Sequence, residues 1–330
     1  MRFGLFGSAQ ARRGGPDVDS AAGFRDFIDY NVEAEALGFH SSFIVEHHFT
    51  GFGQVSASLN LLTWIGAHTK TLRLGTAVLV LPWHNPVLLA EQAATLDLLS
   101  GGRFDFGIGK GYRYNEFAGF CIPMEEAEAR FDECLEVMVK AWTSDTPWSH
   151  RGPYWQFDNI VVEPPTVQKP HPPIWMGAGS PGSIKKVAAQ GFNLLLGQFS
   201  SLAQIAEQIA LFKSEVEASG RTFDPMTVGV ARSLNVVMNA AEYEKAIEMR
   251  MAGRRRVERL SRRPDQARVM SDAEVRETAE AGTLYGTPDD IAVKLQALRD
   301  VGAAYVLINS AGGAASLRRF AREVMPAFAD

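Results

Sequence analysis

Short runs of apolar, strand-favouring residues alternate along the chain with longer segments whose apolar residues recur at helical spacing. Runs that are apolar on both faces are typical of parallel strands buried in an α/β fold. Eight such units predict a closed (β/α)8 TIM barrel, and an open doubly wound sheet is the alternative. The predicted strands cover residues 2–7, 41–46, 72–80, 103–109, 174–178, 192–197, 227–237 and 304–309.

Helix-capping residues support this alternation. Asn85 precedes Pro86, and Thr287 precedes Pro288, so each pair offers a polar cap followed by a proline suited to the first helical position. Gly191 stands where a helix is expected to end. We therefore predict helices that begin at residues 86 and 288, and a last helix over 314–328.

Two segments, 144–172 and 253–268, interrupt the alternation and are predicted to be insertions. The first is rich in proline and aromatic residues, and the second contains seven arginines. The second follows the seventh predicted strand, at the barrel face where active sites lie. It is either a mobile lid or a solvated charged excursion. Since no repeat or low-complexity linker occurs, we expect residues 1–330 to form one domain.

Composition narrows the class of protein. The 330 residues are 46% hydrophobic and 22% charged, as in an ordinary globular protein, and one barrel can be this long. A net charge of −5 offers no basic excess for nucleic acid or an anionic membrane. With two cysteines, Cys121 and Cys134, no signal peptide and no membrane-length apolar segment, we expect a cytoplasmic location. Both cysteines are interpreted as ordinary helix or loop residues.

The segment 46–53, with the sequence EHHFTGFG, follows the second predicted strand. A carboxylate beside an imidazole can orient that ring and raise its basicity, so Glu46 and His47 are candidates for acid–base catalysis. The alternative is a histidine satisfied by backbone groups at a strand end. Adjacent histidines do not easily share one metal ion, and no zinc motif occurs, so we predict no metal site.

Two glycine-rich strand ends are candidates for binding a cofactor. After the fourth strand, Gly109 would let a planar ring approach the backbone, and Lys110 offers a cation for phosphate. Tyr112 stands where a dinucleotide-binding motif needs glycine. After the fifth strand, a turn over 177–183 precedes a helix, where free N–H groups and the helix dipole favour an anion, with hydroxyls from Ser180 and Ser183. Each segment is alternatively a plain strand-to-helix turn.

Taken together, three segments resemble the bacterial luciferase-like, flavin-dependent monooxygenases. They are EHHFTGFG at 46–53, the stretch from LGTAVLVLPWHNP to GRFDFGIGKGY at 74–112, and QKPHPPIWMGAGSPGS at 168–183. The resemblance runs from Arg2 to Met325. It implies a barrel that uses reduced FMN from a separate NAD(P)H:flavin reductase, together with O₂, to oxygenate a small organic substrate through a flavin hydroperoxide. It also implies a homodimer.

The resemblance assigns roles to individual residues. His47 takes the position of the catalytic histidine, with Glu46 as its acidic neighbour, and Ala77-Val78 matches a non-proline cis peptide under the flavin ring. The cofactor-binding residues that it implies are Ala77, Val78, Gly109, Lys110, Tyr112, Gly177, Gly179, Ser180 and Ser183. Phe6, Trp83 and Gln198 are candidates for contacting the substrate, or are ordinary packing residues.

The sequence also departs from luciferase. Gly109 replaces a reactive cysteine, and Gln198 replaces a tryptophan near the flavin ring, which argues against light emission and leaves the substrate open. One alternative is a hydride-transferring oxidoreductase that uses a reduced deazaflavin on the same barrel. Another is a flavin-binding protein without turnover, against which the intact Glu46-His47 pair argues.

Overall fold

Eight parallel strands close into a barrel surrounded by helices in the computed structural model, which describes residues 1–265 and 268–329. The strands of the chain are β1 (Arg2–Gly7), β2 (Ser41–Ile44), β3 (Arg73–Thr76), β4 (Leu79–Val80), β5 (Phe104–Gly109), β6 (Trp148–Arg151), β7 (Gln156–Ile160), β8 (Ile174–Gly177), β9 (Asn193–Leu196), β10 (Val228–Val236), β11 (Thr283–Gly286) and β12 (Tyr305–Ser310). The closed order is β1-β2-β3-β5-β8-β9-β10-β12. The predicted TIM barrel is confirmed, and each of the eight predicted runs contains one barrel strand.

The α-helices begin and end close to the capping signals. They are α1 (Ala22–Ala36), α2 (Ser58–His68), α3 (Pro86–Leu99), α4 (Tyr114–Gly119), α5 (Ala127–Thr143), α6 (Pro181–Gln190), α7 (Leu202–Ala218), α8 (Ala240–Ser261), α9 (Asp272–Ala281), α10 (Pro288–Asp300) and α11 (Gly313–Glu323). Asn85 caps α3, Thr287 caps α10, and Gly191 ends α6 with a φ of 74°. The predicted last helix is too long, because α11 ends at Glu323 and a short 3₁₀ turn, Met325–Ala327, follows it.

Contacts within the chain define two compact units, which are described separately. Unit 1 comprises Met1–Gly7, Glu33–Phe43 and Met176–Asp330, and unit 2 comprises Ser8–Val32 and Ile44–Trp175. That residues 1–330 act as one domain stays a prediction.

In unit 1 the nine-residue strand β10 organises the sheet. One edge of β10 pairs with β12, from Gly229 with Tyr305 to Leu234 with Ser310. Its other edge pairs first with β9 and then with β11. The four-residue strand β11 was not among the eight predicted strands. Because β9 and β11 share one edge of β10, β11 lengthens that edge without adding a ninth strand to the ring.

In unit 2 the predicted insertion 144–172 contains an ordered hairpin of β6 and β7. Two buried carboxylates anchor this segment. Glu133 on α5 accepts hydrogen bonds from the His150 ring at 3.0 Å and from the backbone N–H groups of Tyr154 and Trp155. Asp97 on α3 accepts the backbone N–H groups of Val167 and Gln168 at 2.7 and 2.9 Å. The insertion is therefore held at both ends by helices of its own unit.

The predicted insertion 253–268 is only partly outside regular structure. Residues 253–261 form the last part of α8, which lies in the long connection between β10 and α10. The arginines have specific contacts: Arg255 bonds with Glu258 at 3.1 Å, and Arg268 bonds with Glu274 at 2.6 Å. Residues 266 and 267 lie outside the described residues. That the segment is a mobile lid stays a prediction.

We expect Asp97→Ala to destabilise the protein by about 1–3 kcal/mol, because buried backbone N–H groups at residues 167 and 168 lose their acceptor. Chemical denaturation measures the change in the free energy of unfolding. The control is Asp145→Ala, at an exposed position before β6, which should change stability by less than about 0.5 kcal/mol. Equal stabilities of the two variants would show that Asp97 is not an anchor.

Candidate active site

His47 follows β2 and is fixed in unit 2 by a buried acid. Its Nδ1 lies 3.1 Å from Oε1 of Glu116 on α4, and the same oxygen accepts the backbone N–H of His48 at 2.9 Å. Because a carboxylate only accepts hydrogen bonds, Nδ1 of the neutral ring carries the proton and Nε2 is left as the acceptor. Glu116, which is 2% exposed, therefore sets both the orientation and the tautomer of His47.

Glu46 has different hydrogen-bond partners from the one predicted. It accepts hydrogen bonds from the backbone N–H of Val80 at 2.7 Å, from His84 Nε2 at 2.8 Å and from His48 Nε2 at 3.2 Å. Burial alone would raise the pKa of the Glu46 carboxyl, but these hydrogen bonds outweigh burial and hold the pKa below its usual value. The prediction that Glu46 orients the His47 ring is wrong, because Glu116 does so.

His47 is neutral at pH 7. Burial of the imidazole lowers the pKa of His47, and the positive charge of Arg113 lowers it further, against the opposing effect of Glu116. The ring is thus an unprotonated base whose Nε2 is free to accept a proton or a hydrogen bond. That is the state required of a general base near pH 7.

Several buried side chains of unit 2 have hydrogen-bond donors without acceptors in the described residues, and Arg113 and Trp83 are the two of them next to the histidine segment. Arg113, which is 5% exposed, has Nε and Nη1 unpartnered within residues 1–265 and 268–329, and its Nη1 lies 4.0 Å from Glu116. The indole N–H of Trp83 is also buried and unpartnered in the described part of the chain. Since unpartnered buried donors are costly, they fit a ligand that presents carbonyl or anionic oxygens.

An aromatic group lies next to these polar residues. Trp83 contacts His48 and Phe120, each with ring centroids 5.4 Å apart, and the His48 and Phe120 centroids are 4.8 Å apart. Phe49 packs on Phe120 at 4.9 Å and remains 58% exposed. Trp83, a predicted substrate residue, thus belongs to an apolar wall beside the histidine segment.

The predicted cofactor residues of unit 2 lie at strand ends. The Ala77-Val78 peptide is cis, as predicted. Gly109 ends β5, and a Cβ atom added there would lie 2.6 Å from Cγ2 of Val78, so glycine permits this close packing. Lys110 is exposed and pairs with Glu128 at 3.3 Å. The exposed Tyr112 ring has the Arg113 guanidinium 5.8 Å from its centroid.

The predicted phosphate turn of unit 1 forms the start of α6. Ser180 caps the helix, its Oγ accepts the N–H of Ser183, and Ser183 Oγ bonds back to Ser180. The two hydroxyls therefore satisfy each other and the backbone. The carbonyl of Gly179 accepts the Gln208 amide at 2.9 Å, and Gly177 is exposed at the end of β8. Pro181 has no N–H and the N–H of Ser183 is bonded to Ser180, so an anion here would bind the N–H of Gly182 at the positive end of the helix dipole.

The two predicted substrate residues of unit 1 are placed differently. Phe6 is half-buried near the end of β1. Gln198 follows β9, and its backbone carbonyl accepts Nη2 of Arg250 at 3.0 Å while its side-chain oxygen lies 3.4 Å from Nη1. Gln198 is therefore held by an arginine of α8 that was not predicted.

Sequence reasoning also missed Glu116 and Arg113. Both follow β5 directly, in the sequence RYNE, where an arginine and a glutamate at i and i+3 stand just after a glycine-rich strand end. That charged pair is the sequence feature that could have pointed to Glu116 and Arg113 as site residues.

The sequence matches the family described as luciferase-like monooxygenase over residues 1–305. The chain belongs to this family. It is 30% identical over 196 residues to the oxygenase component of the flavin-dependent trigonelline monooxygenase of Acinetobacter baylyi, covering 59% of this chain and 53% of that protein. It is 24% identical over 324 residues to the F420-dependent glucose-6-phosphate dehydrogenase of Amycolatopsis mediterranei, covering 92% and 94%. The crystal structure of the monooxygenase RslO1 from Streptomyces bottropensis superposes with a TM-score of 0.81 at 26% identity, covering both chains fully.

No cluster of metal-ligating side chains and no membrane-spanning helix occurs among the described residues of this luciferase-like protein. Within 1–265 and 268–329, no three His, Cys, Asp or Glu side chains are grouped as a metal site. No helix of that part is long and apolar enough to cross a membrane.

We expect His47 to titrate below the ordinary histidine pKa in histidine-labelled NMR spectra, with His47→Gln identifying its signal. Glu116→Gln should lower the His47 pKa further, because it removes the negative charge that favours the imidazolium. Arg113→Gln should raise it, because it removes a neighbouring cation. Since the folded pKa is depressed, the contribution of His47 to stability is present above about pH 6.5 and is lost as the pH falls through the folded pKa. Shifts of the opposite sign would contradict this electrostatic account.

Proposed function

We propose that this protein is an FMN-dependent monooxygenase that receives reduced FMN from a separate reductase and uses O₂ to oxygenate a small organic substrate. The observation that carries this proposal is the buried, neutral His47, whose ring Glu116 orients and whose Nε2 is left as an acceptor. The family membership supports a flavin reaction, and the A. baylyi relative is itself named as an oxygenase component.

The residues present fit a flavin. In unit 2, the buried donors of Arg113 and Trp83 suit the carbonyl and nitrogen acceptors of a flavin ring. Gly109 packs directly against Val78 of the cis Ala77-Val78 peptide, which brings together the two strand ends where the resemblance places the flavin ring. When bound, the flavin supplies the redox chemistry and the activation of oxygen.

The side chains of this protein do the remaining work. His47 Nε2 accepts or returns a proton at the reacting oxygen, and Glu116 stabilises the imidazolium that forms. Glu46 fixes His48 and His84, which holds the end of β2 next to β4. The aromatic group of Phe49, Trp83 and Phe120 excludes water, so that oxygen transfer competes with release of peroxide.

Phosphate binding is proposed for Lys110 and for the turn Gly177, Gly179, Ser180 and Ser183. Lys110 supports the proposal because it is exposed and has only the weak surface partner Glu128 to exchange for a phosphate. The turn supports it because α6 presents the N–H of Gly182 and the positive end of its dipole. Tyr112, Phe6 and Gln198 stay predicted contacts of the cofactor or the substrate. The reductase partner and the homodimer also stay predictions.

A deazaflavin-dependent hydride transfer is the second candidate, since the A. mediterranei relative is named as F420-dependent. A neutral histidine can serve either reaction. Titration with reduced FMN and with reduced F420, followed by measurement of oxygen uptake, separates the two. Binding of F420 alone, without oxygen uptake, would replace the monooxygenase proposal.

We expect His47→Ala to reduce product formation by about 10²–10⁴, the usual loss for a general acid–base, while FMN affinity stays within about tenfold. Glu116→Gln should lose less activity and shift the pH profile, because it orients and polarises the ring. The assay needs a supplied flavin reductase and a panel of aldehydes, ketones and organic acids, with peroxide release measured in parallel. The control is His68→Ala, at an exposed position at the end of α2. If His47→Ala couples oxygen uptake to product as the wild type does, His47 is structural.

We expect Lys110→Ala to weaken FMN binding by about 1.5–3 kcal/mol, the range for a hydrogen bond to a charged group. Riboflavin, which lacks the phosphate, should bind the variant and the wild type equally in an equilibrium titration. Lys169→Ala, at another exposed lysine of unit 2, is the matched control. An unchanged FMN affinity would remove Lys110 from the phosphate site.

A further inference from the structure

Two arginines of unit 1 stack on Phe199, the residue that follows Gln198, and a third lies near one of them. Arg232 lies on β10, and Arg250 and Arg254 lie one turn apart on α8. The guanidinium carbons of Arg250 and Arg254 are 4.9 and 4.6 Å from the ring centroid of Phe199. Arg232 is close enough to Arg250 for the charge of Arg250 to lower the pKa of Arg232. We call Arg232, Arg250 and Arg254 the arginine group.

Arg232 is buried and has no counterion among the described residues. Its residue is 3% exposed, and within the described residues its guanidinium makes one hydrogen bond, from Nη1 to the carbonyl of Ala231 at 2.9 Å. Burial lowers the pKa of Arg232 to about 10, and the neighbouring Arg250 cation adds to the effect. The side chain is still charged at pH 7, so the fold retains a buried cation at a cost.

The other two arginines, Arg250 and Arg254, also have no carboxylate as a hydrogen-bond partner in the described residues. Arg250 donates to neutral acceptors: the carbonyl of Ala279 at 2.8 Å and the two oxygens of Gln198. Arg254 has a buried Nε without a partner in the described part of the chain, and its Nη2 lies 3.8 Å from the sulfur of Met270.

One carboxylate lies near the group. Glu258 feels the charge of Arg254, but its oxygens bond Arg255 and the backbone N–H of Met270. Within the described residues, no carboxylate accepts a hydrogen bond from these three arginines.

We propose that the arginine group binds a compact oxyanion, the carboxylate or sulfonate of an acidic substrate. This inference rests on the proposed function, since it names the substrate class of that reaction. Guanidinium groups bind such anions through paired, charge-assisted hydrogen bonds. The stacking on Phe199 and the hydrogen bonds to Gln198 hold Arg250 in place before the ligand arrives. Binding supplies the counterion that Arg232 lacks.

The same chemistry could come from the flavin phosphate, and the test separates the two sources. Thermal unfolding of the flavin-free protein is followed with sodium benzoate, sodium methanesulfonate or inorganic phosphate. Sodium chloride at equal ionic strength corrects for screening. We expect benzoate or methanesulfonate to raise Tm above the chloride reference. Arg232→Met should weaken that binding at least tenfold and should not lower the Tm of the unliganded protein, because it removes an uncompensated buried charge.

Two further variants keep the test decisive. Arg254→Met, on a partly exposed helix, should show the same tenfold loss if Arg232→Met does not fold. Arg322→Met, which neutralises a surface arginine paired with Glu323 in the same unit, should respond to the anions as the wild type does. The site is refuted if no organic anion raises Tm above chloride, or if Arg232→Met and Arg254→Met keep the wild-type response.

Flavin titrations assign the source of the oxyanion. The affinities of FMN and riboflavin are compared in the wild type and in Arg232→Met. An unchanged ratio supports a substrate anion, and a ratio that falls tenfold or more for FMN assigns the group to the flavin phosphate and overturns the proposal. Because these readouts need no turnover, they fail or succeed separately from the monooxygenase assay on His47.

Discussion

One carboxylate oxygen of Glu116 holds together the part of unit 2 for which we propose the chemistry. It accepts both the ring of His47 and the backbone N–H of His48, and so links α4 to the segment that follows β2. A carboxylate that is 2% exposed must be fully satisfied to be tolerated, so the position of the ring is tied to the stability of the segment. The same oxygen lies 4.0 Å from Arg113, which makes the base, its acid and the buried cation one electrostatic unit.

The buried acids and the buried arginines of this protein differ in how many hydrogen-bond partners they have. Glu46, Asp97 and Glu133 each accept at least three hydrogen bonds from backbone or side-chain donors, and each ties two segments of unit 2 together. By contrast, Arg113 in unit 2 and Arg232 in unit 1 lack such partners in the described residues. The acids therefore act as anchors, whereas the deficit of the arginines is best explained by a ligand that supplies acceptors.

Most of the barrel was predictable because the periodicity of buried strands and the capping residues are local signals. Asn85, Thr287 and Gly191 mark helix ends through their own backbone geometry, and the sequence alone shows them. The hairpin of β6 and β7 was not predicted, because it depends on Glu133, an acid from a preceding helix. Strand β11 was not predicted, because its four residues are a strand only through their pairing with the second half of β10.

The predicted pairing of Glu46 with His47 was wrong because it relied on adjacency in the sequence. In extended chain, successive side chains point to opposite sides, so Glu46 reaches His48 two residues on, and not His47. The partner of His47 comes from 69 residues later, and nothing in the sequence links that position to His47. By contrast, the cis peptide at Ala77-Val78 was correctly assigned from the resemblance of the whole segment.

The opposing charges around His47 connect ligand binding to protonation. Arg113 is one cause of the depressed pKa of His47, because its positive charge is not neutralised by a hydrogen-bonded acid. An anionic or carbonyl oxygen that accepts from Arg113 offsets that charge, and the pKa of His47 then rises toward the ordinary value. By linkage, the protein binds such a ligand more tightly at lower pH and takes up a proton as it does so. In the proposed reaction, the imidazole would stay neutral until a ligand arrives and would become easier to protonate when the reacting oxygen needs an acid.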